Sequence, residues 1–231
     1  MAIHDRYPLA PPRDVHIAVD DVVVEGTLTT PWEPRGVVVF AHGSGSSRFS
    51  PRNQAVARTL QESGFATLLL DLLTQKEEII DERTRRLRFD IDLLARRLGD
   101  AVRWVRRDDS VRGLPIGLFG ASTGAAAALM AAAVEQGISA VVSRGGRPDL
   151  ADVALQRVQA PTLLIVGGDD VDVLRLNRAA LHRLAGPAEL AVVAGATHLF
   201  EEPGALEQVA GLARSWFLRH LHGVVDVGIH P

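Results

Sequence analysis

The chain has 231 residues, of which 47% are hydrophobic and 23% are charged, which is typical of one α/β domain with a substantial core. Its formal net charge of −3 provides no basic face for a nucleic acid or an anionic membrane. Cysteine is absent, which excludes disulfides, thiolate metal sites and a cysteine nucleophile.

The first segment, residues 1–12, contains no apolar stretch of signal-peptide length. No run in the chain approaches the roughly 20 apolar residues that a membrane span requires. We therefore expect a cytoplasmic protein with one domain over residues 1–231, including an N-terminal arm at 1–13 and a C-terminal tail at 224–231. We expect no membrane or nucleic-acid partner, and either a monomer or a homodimer.

In chain order, β-rich and helical segments alternate. Residues 15–19 and 22–29 predict an antiparallel hairpin. Short apolar runs predict further strands at 36–41, 65–73, 115–120, 140–143, 161–166 and 189–193. Helical spacing and end signals predict helices at 51–63, 91–105, after 122, at about 172–185, and from about 206 to 223. This alternation predicts a mostly parallel, doubly wound sheet with right-handed crossovers.

One segment, residues 74–90, is dense in charge. Asp81 and Glu82 precede Arg85 and Arg86 by four residues, the spacing of ion pairs on a helix. We expect a partly helical, solvated excursion that covers the functional site. A large cap domain is excluded after the sixth strand, because residues 147–160 leave room for no more than a short helix.

Ser122 lies in the sequence Gly-Ala-Ser-Thr-Gly, between an apolar strand and an alanine-rich helix. This G-x-S-x-G pattern is typical of a nucleophile elbow, where small neighbours allow the strained turn that presents the serine hydroxyl. A serine needs a base to accept its proton and a carboxylate to orient that base. His198 is the candidate base. The adjacent Asp169 and Asp170 are the candidate carboxylates.

These candidates all follow strands. In a parallel sheet the carboxyl ends of the strands share one edge, where ligands bind. Two backbone N–H groups, those of Thr123 in the elbow and Ser44 in the loop after His42, are the candidate oxyanion donors. Candidate substrate-binding side chains in the same loops are those of His42, Arg48, Arg144 and Arg147.

These substrate-binding assignments have alternatives. The imidazole of His42 is expected to brace the oxyanion loop rather than transfer protons. The arginines could recognise a substrate carboxylate, or instead anchor loops through salt bridges such as one with Asp149.

The chain resembles the α/β-hydrolases of the dienelactone-hydrolase-like group. The resemblance rests on four sequences, namely His42-Gly-Ser-Gly, the Ser122 elbow, Gly167-Gly-Asp-Asp170 and Gly-Ala-Thr-His198, within residues 15–220. It implies an eight-stranded sheet with only the second strand antiparallel, and ester hydrolysis through an acyl-enzyme. In similar hydrolases the acid follows the strand in a Gly-x-x-Asp arrangement, which favours Asp170 as the carboxylate, with Asp169 as the alternative. The dienelactone hydrolases proper carry a cysteine nucleophile, where this chain has serine.

We therefore expect a serine esterase that acts on small to medium acyl esters without a cofactor or a metal ion. The order serine, aspartate, histidine along the chain is that of α/β-hydrolases. A thioesterase, an acyltransferase and a perhydrolase would use the same residues. A ligand-binding protein that retains the fold without turnover is an alternative of a different class. The residues do not identify the natural ester.

Overall fold

A computed structural model describes residues 7–222, and the predicted tail at 224–231 lies outside the described residues. Eight strands form one sheet in the order β1-β2-β4-β3-β5-β6-β7-β8. Their bounds are β1 Arg13–Val19, β2 Val22–Thr29, β3 Val37–Ala41, β4 Ala66–Leu70, β5 Ile116–Ala121, β6 Ile138–Arg144, β7 Thr162–Gly167 and β8 Ala188–Val193. Strand β2 is antiparallel to both of its neighbours, and the other adjacent pairs are parallel. The predicted mostly parallel, eight-stranded sheet is confirmed.

Six α-helices in the described residues accompany the sheet, and all but α2 pack on one of its faces. They are α1 Pro51–Gln61, α2 Gln75–Thr84, α3 Ile91–Val105, α4 Thr123–Val134, α5 Val171–Leu181 and α6 Ala205–His220. One large apolar cluster joins the sheet to α1 and α6, and another joins it to α3 and α4. The central strands are therefore buried on both faces, as their continuous apolar runs predict.

Strand β3 illustrates how period-two alternation divides the core. Val37, Val39 and Ala41 face the α3 and α4 side, whereas Val38 and Phe40 face the α1 and α6 side. All five residues are 1% exposed or less. The strand then ends at the edge of the sheet, so the loop beginning at His42 emerges where ligands bind in such folds.

The charge-dense segment forms α2 and a 3₁₀ turn at Leu87–Phe89. The predicted pairing of Asp81 with Arg85 is wrong. Helix α2 ends at Thr84, and Arg85 adopts a left-handed conformation (φ 54°) that reverses the chain. The reversal brings Arg88 to Asp81, whose carboxylate is buried and forms an ion pair with it.

Between β6 and β7 the chain forms one 3₁₀ segment, Pro148–Arg157, interrupted at Asp152. The expected absence of a large cap domain at this point in the chain is therefore confirmed. Cover over the carboxyl edge of the sheet comes instead from α2 and the turn that follows it, on the side of β3 and β4.

Candidate active site

Ser122 connects β5 to α4 with φ 51° and ψ −119°, a backbone conformation that residues other than glycine rarely adopt. The glycines two residues before and after Ser122 lie so close to neighbouring backbone that a side chain would not fit at either position. A Cβ on Gly120 would lie 2.4 Å from the Cα of Ala125, and one on Gly124 would lie 2.3 Å from the carbonyl oxygens of Ala41 and His42. The turn is therefore the strained elbow that the sequence predicts.

Backbone hydrogen bonds hold this turn in place. The Ser122 N–H donates to the Arg144 carbonyl oxygen at 3.1 Å, and the Ser122 carbonyl oxygen accepts from the Arg147 N–H at 3.1 Å. The elbow is thus tied across to the loop that follows β6. The surrounding backbone offsets the strain, which leaves the serine side chain free at the carboxyl edge.

Replacing Ser122 with glycine is expected to raise the free energy of unfolding by about 1 kcal/mol relative to Ser122→Ala, because only glycine adopts this backbone without strain. The alanine variant is the matched control, since it also lacks the hydroxyl but keeps the Cβ that causes the strain. Urea denaturation of both variants measures the difference. Equal stabilities would contradict the assignment of strain to this residue.

His198 is brought to both of its predicted partners. Its Nε2 lies 3.4 Å from the Ser122 Oγ, and its Nδ1 lies 2.6 Å from the Oδ2 of Asp170. Because a carboxylate only accepts, Nδ1 carries the proton and Nε2 is left with a lone pair directed at the serine. The serine distance is longer than an ideal hydrogen bond, as is common for such pairs without substrate.

Asp170, and not Asp169, is the carboxylate that the structure places at His198. Asp170 occupies the position before α5, but its side chain does not cap that helix. The main chain brings the two loops together at Gly167, where a Cβ would lie 2.3 Å from the Ala196 carbonyl oxygen. Within residues 7–222, no hydrogen bond joins the Asp169 carboxylate to His198.

The loop after β3 passes beside the serine. A Cβ on Gly43 would lie 3.1 Å from the Ser122 Cβ. The next residue, Ser44, has its hydroxyl oxygen 2.9 Å from the Oγ1 of Thr123. The two residues proposed to donate backbone N–H groups to an oxyanion are therefore neighbours, joined through their side chains.

The His42 ring is hydrogen-bonded at both nitrogens. Its Nε2 accepts from the Leu72 N–H at 3.0 Å, and its Nδ1 donates to the Gly43 carbonyl oxygen at 2.9 Å. Burial lowers the pKa of the ring below its usual value, which favours this neutral form. Both ring nitrogens are occupied, so the structure leaves His42 no free nitrogen for binding substrate.

A cavity of about 230 Å³ lies between α2 and the loop of residues 42–47. Thr123, which follows the elbow serine, also lines it. Its walls carry hydroxyls and the carboxylate of Glu78, whose pKa is raised by burial and by the nearby carboxylates of Asp71 and Glu82. Leucine side chains also line it, so its walls are mixed polar and apolar, and the cavity is smaller than the roughly 300–1,000 Å³ of most sites for drug-sized ligands.

Two of the three candidate arginines are engaged in ion pairs. Arg48 pairs with Asp71 and with Glu25. Arg147 makes two hydrogen bonds, of 2.9 and 2.7 Å, with the carboxylate of Asp149. Both side chains are therefore occupied by carboxylates of neighbouring loops and strands.

Arg144 is different. It is 8% exposed, and its enclosed Nη1 has no hydrogen-bond partner among the described residues. Burial, together with the nearby charge of Arg52, lowers its pKa to about 10, which leaves it protonated at neutral pH. Its backbone borders the elbow, and a Cβ on the following Gly145 would lie 3.5 Å from the His198 Nδ1. The strand that ends beside the elbow therefore carries a buried guanidinium whose Nη1 is unpaired among the described residues.

The sequence did not predict the ion pair between Asp81 and Arg88, two further residues near the site. The two residues are seven positions apart, and the helical spacing of Asp81 and Arg85 indicated a different partner.

Among residues 7–222, no group of three or more histidine and acidic side chains is placed to hold a metal ion. None of the helices in this part of the chain is long and apolar enough to cross a bilayer.

Residues 24–217 match the family model described as the dienelactone hydrolase family. Proteins from two strains of Mycobacterium tuberculosis, provisionally named phosphoribosyl transferases, are 58% identical to the chain over 211 residues. The match covers 91% of this chain and 47% of theirs, so the chain spans about half the length of these curated relatives.

Two solved structures extend the comparison. A dienelactone hydrolase from Anabaena variabilis is 54% identical, with a TM-score of 0.89 over 92% of this chain and 100% of that chain. Est1E from Butyrivibrio proteoclasticus is 18% identical, with a TM-score of 0.74 over 89% of this chain and 98% of its own, and shares the fold.

Proposed function

Because the chain belongs to the dienelactone hydrolase family, we propose that it is a serine hydrolase that cleaves carboxylic esters of small to medium acyl groups through an acyl-enzyme. The observation that carries this proposal is the alignment of Ser122, His198 and Asp170, at 3.4 and 2.6 Å, at one edge of the sheet. A strained serine backed by an oriented imidazole is suited to nucleophilic attack.

In the proposed mechanism, the Ser122 Oγ attacks the ester carbonyl carbon while the His198 Nε2 takes its proton. Asp170 holds the ring in the required tautomer and stabilises the imidazolium that forms. The carbonyl oxygen becomes an oxyanion that accepts from the Ser44 and Thr123 N–H groups. Collapse of this intermediate breaks the bond to the alcohol, which leaves with the proton from His198. Water then repeats the sequence and releases the carboxylic acid.

The size of the cavity and the lack of a large cap support esters of modest size. Serine in place of the cysteine of dienelactone hydrolases proper supports the cleavage of ordinary esters rather than only of activated lactones. The mycobacterial relatives are named as phosphoribosyl transferases. We assign that activity to the half of those proteins that this chain does not match.

The test is hydrolysis of p-nitrophenyl esters from acetate to decanoate, with an organophosphonate label read by intact mass. We expect turnover that is highest for the shorter chains, a single adduct, and no rise in rate where the longer esters form a separate phase. A parallel set of thioesters, and of alcohol or peroxide acceptors, would distinguish an esterase from a thioesterase, an acyltransferase or a perhydrolase. The absence of both turnover and an adduct would refute the proposal and favour a ligand-binding role.

Arg144 is the candidate for recognising an anionic group on the substrate, because Arg48 and Arg147 already have carboxylate partners. Replacing Arg144 with methionine is expected to lower kcat/KM for the acidic ester mono-p-nitrophenyl glutarate by about 10- to 100-fold, the usual value of a hydrogen bond to a charged group. Hydrolysis of the neutral p-nitrophenyl valerate should change by less than about twofold. The variant is expected to fold, since it exchanges a buried unpaired charge for an apolar side chain of similar length.

Arg147→Met is the matched control, because Arg147 is already bound to Asp149. It should leave the ratio of the two kcat/KM values unchanged. An equal loss on the acidic and the neutral ester in Arg144→Met would contradict anion recognition and indicate a structural role for this arginine.

A further inference from the structure

Helix α2, which covers the candidate oxyanion loop, is held in place by polar contacts rather than by an apolar face. In α2 the one buried residue is Asp81, whereas Ile79 and Ile80 are more than half exposed. Near its start, Glu77 accepts two hydrogen bonds, of 2.6 and 2.7 Å, from the buried Arg97 of α3. The position of α2 therefore depends on a few charged pairs.

The second anchor organises the turn after α2. The Asp81 carboxylate accepts from the Leu87 N–H at 2.7 Å and from the Arg88 N–H at 3.3 Å, and it also forms an ion pair with the Arg88 Nε. A further bond of 3.3 Å runs from the Arg88 Nη2 to the Asp81 carbonyl oxygen. Arg88 is thus held in both its backbone and its side chain.

Arg88 in turn contacts the loop after β3. Its carbonyl oxygen accepts from the Ser44 Oγ at 3.4 Å, and its Nη1 lies 3.3 Å from where a Cβ on Gly45 would be. A hydroxyl has one proton, so if Ser44 donates to this carbonyl, its other hydroxyl neighbour, Thr123, must donate to Ser44. A directed chain then runs from Thr123 through Ser44 to Arg88.

We propose that Asp81 and Arg88 form a clamp that positions the oxyanion hole, because the hydroxyl chain joins both residues whose N–H groups would bind the oxyanion. This inference rests on the proposed function, since an oxyanion hole matters only to acyl transfer. Neither residue touches the reacting atoms, so both are positioning residues. Misplaced donors lose more energy in the transition state than in the ground state, and the clamp therefore acts on kcat rather than KM.

The first test is Asp81→Asn, which removes the charge that holds Arg88. Complete loss of one oxyanion donor costs about 10²–10³ in kcat, so a displaced donor is expected to cost about tenfold, with KM little changed. The matched control is Asp92→Asn, an exposed aspartate in the first turn of α3, which should retain wild-type kcat. Thermal melting establishes that both variants are folded.

A double-mutant cycle gives the sharper result. If the clamp acts through the Ser44 hydroxyl, Ser44→Ala should lower kcat about as much as Asp81→Asn does. The double variant should then have a kcat less than about twofold below that of Ser44→Ala alone. Arg88→Met, which keeps the length of the side chain, provides a second way to open the clamp. Additive losses, or a loss confined to KM, would overturn the proposal.

Hydrogen exchange separates this proposal from the esterase assignment. In Asp81→Asn, amides of residues 43–47 should exchange faster than in wild type, whereas Asp92→Asn should leave them unchanged. Unchanged exchange in Asp81→Asn would overturn the clamp even if the wild-type protein hydrolyses esters. A wild-type protein without turnover would refute the proposed function, whatever the exchange result.

Discussion

Ser122→Ala is expected to lower kcat for p-nitrophenyl acetate by about 10⁶-fold, the loss seen when the nucleophile of a serine–histidine–aspartate triad is removed. The reason is that no other hydroxyl shares its position. Ser122 is held at a left-handed elbow 3.4 Å from the His198 Nε2, and its loss removes the atom that would form the acyl-enzyme. The organophosphonate adduct should disappear with the activity.

The control is Ser110→Ala, which removes an exposed hydroxyl in the loop before β5, at the opposite end of that strand from the elbow. It should retain wild-type turnover and the single adduct. Turnover in Ser122→Ala within tenfold of wild type would show that hydrolysis takes place elsewhere or that a contaminating esterase is present. An adduct that persists in Ser122→Ala would identify another nucleophile.

Asp170→Asn is expected to lower kcat by about 10⁴-fold with little change in KM, as in other triads whose aspartate is replaced by asparagine. The amide that replaces the carboxylate can donate to the His198 Nδ1, which would place the ring proton on Nε2, where it cannot accept from serine. The geometry of the site would otherwise be retained, because asparagine matches aspartate in shape.

Asp169→Asn is the matched control, since it makes the same change one residue away. No hydrogen bond to His198 involves the Asp169 side chain among the described residues, so this variant should keep kcat within about twofold of wild type. Steady-state kinetics of the two variants decide between the two carboxylates. A larger loss in Asp169→Asn than in Asp170→Asn would reverse the assignment and contradict the observed geometry.

Much of the site was predictable because its components obey local rules. Gly120 and Gly124 indicate a turn that excludes side chains on both sides of Ser122, and the close contacts at these positions show why. His198 follows the last strand, so a parallel sheet brings it to the same edge as the serine. These inferences need only the order of the elements and the chemistry of single residues.

Which charged side chains pair with each other could not be predicted in the same way. Asp169 and Asp170 are adjacent carboxylates of the same chemistry. The family resemblance favours Asp170, and the approach of β7 to the loop after β8 is what places that residue at His198. Arg48 is paired with Asp71, 23 positions away, a pairing that no local spacing indicates. Asp81 was assigned the wrong partner, because the end of α2 and the left-handed Arg85 redirect the chain.

The alternation of strands and helices, the elbow at Ser122 and the order of the catalytic candidates could be predicted, because periodicity, glycine placement and chain order are local or additive properties. The pairing of Arg147 but not of the Arg144 Nη1, and the contact of Arg88 with both Asp81 and Ser44, could not be predicted in this way. Such pairings depend on distances between loops that are far apart in the chain, and these distances are set by how the helices pack on the sheet.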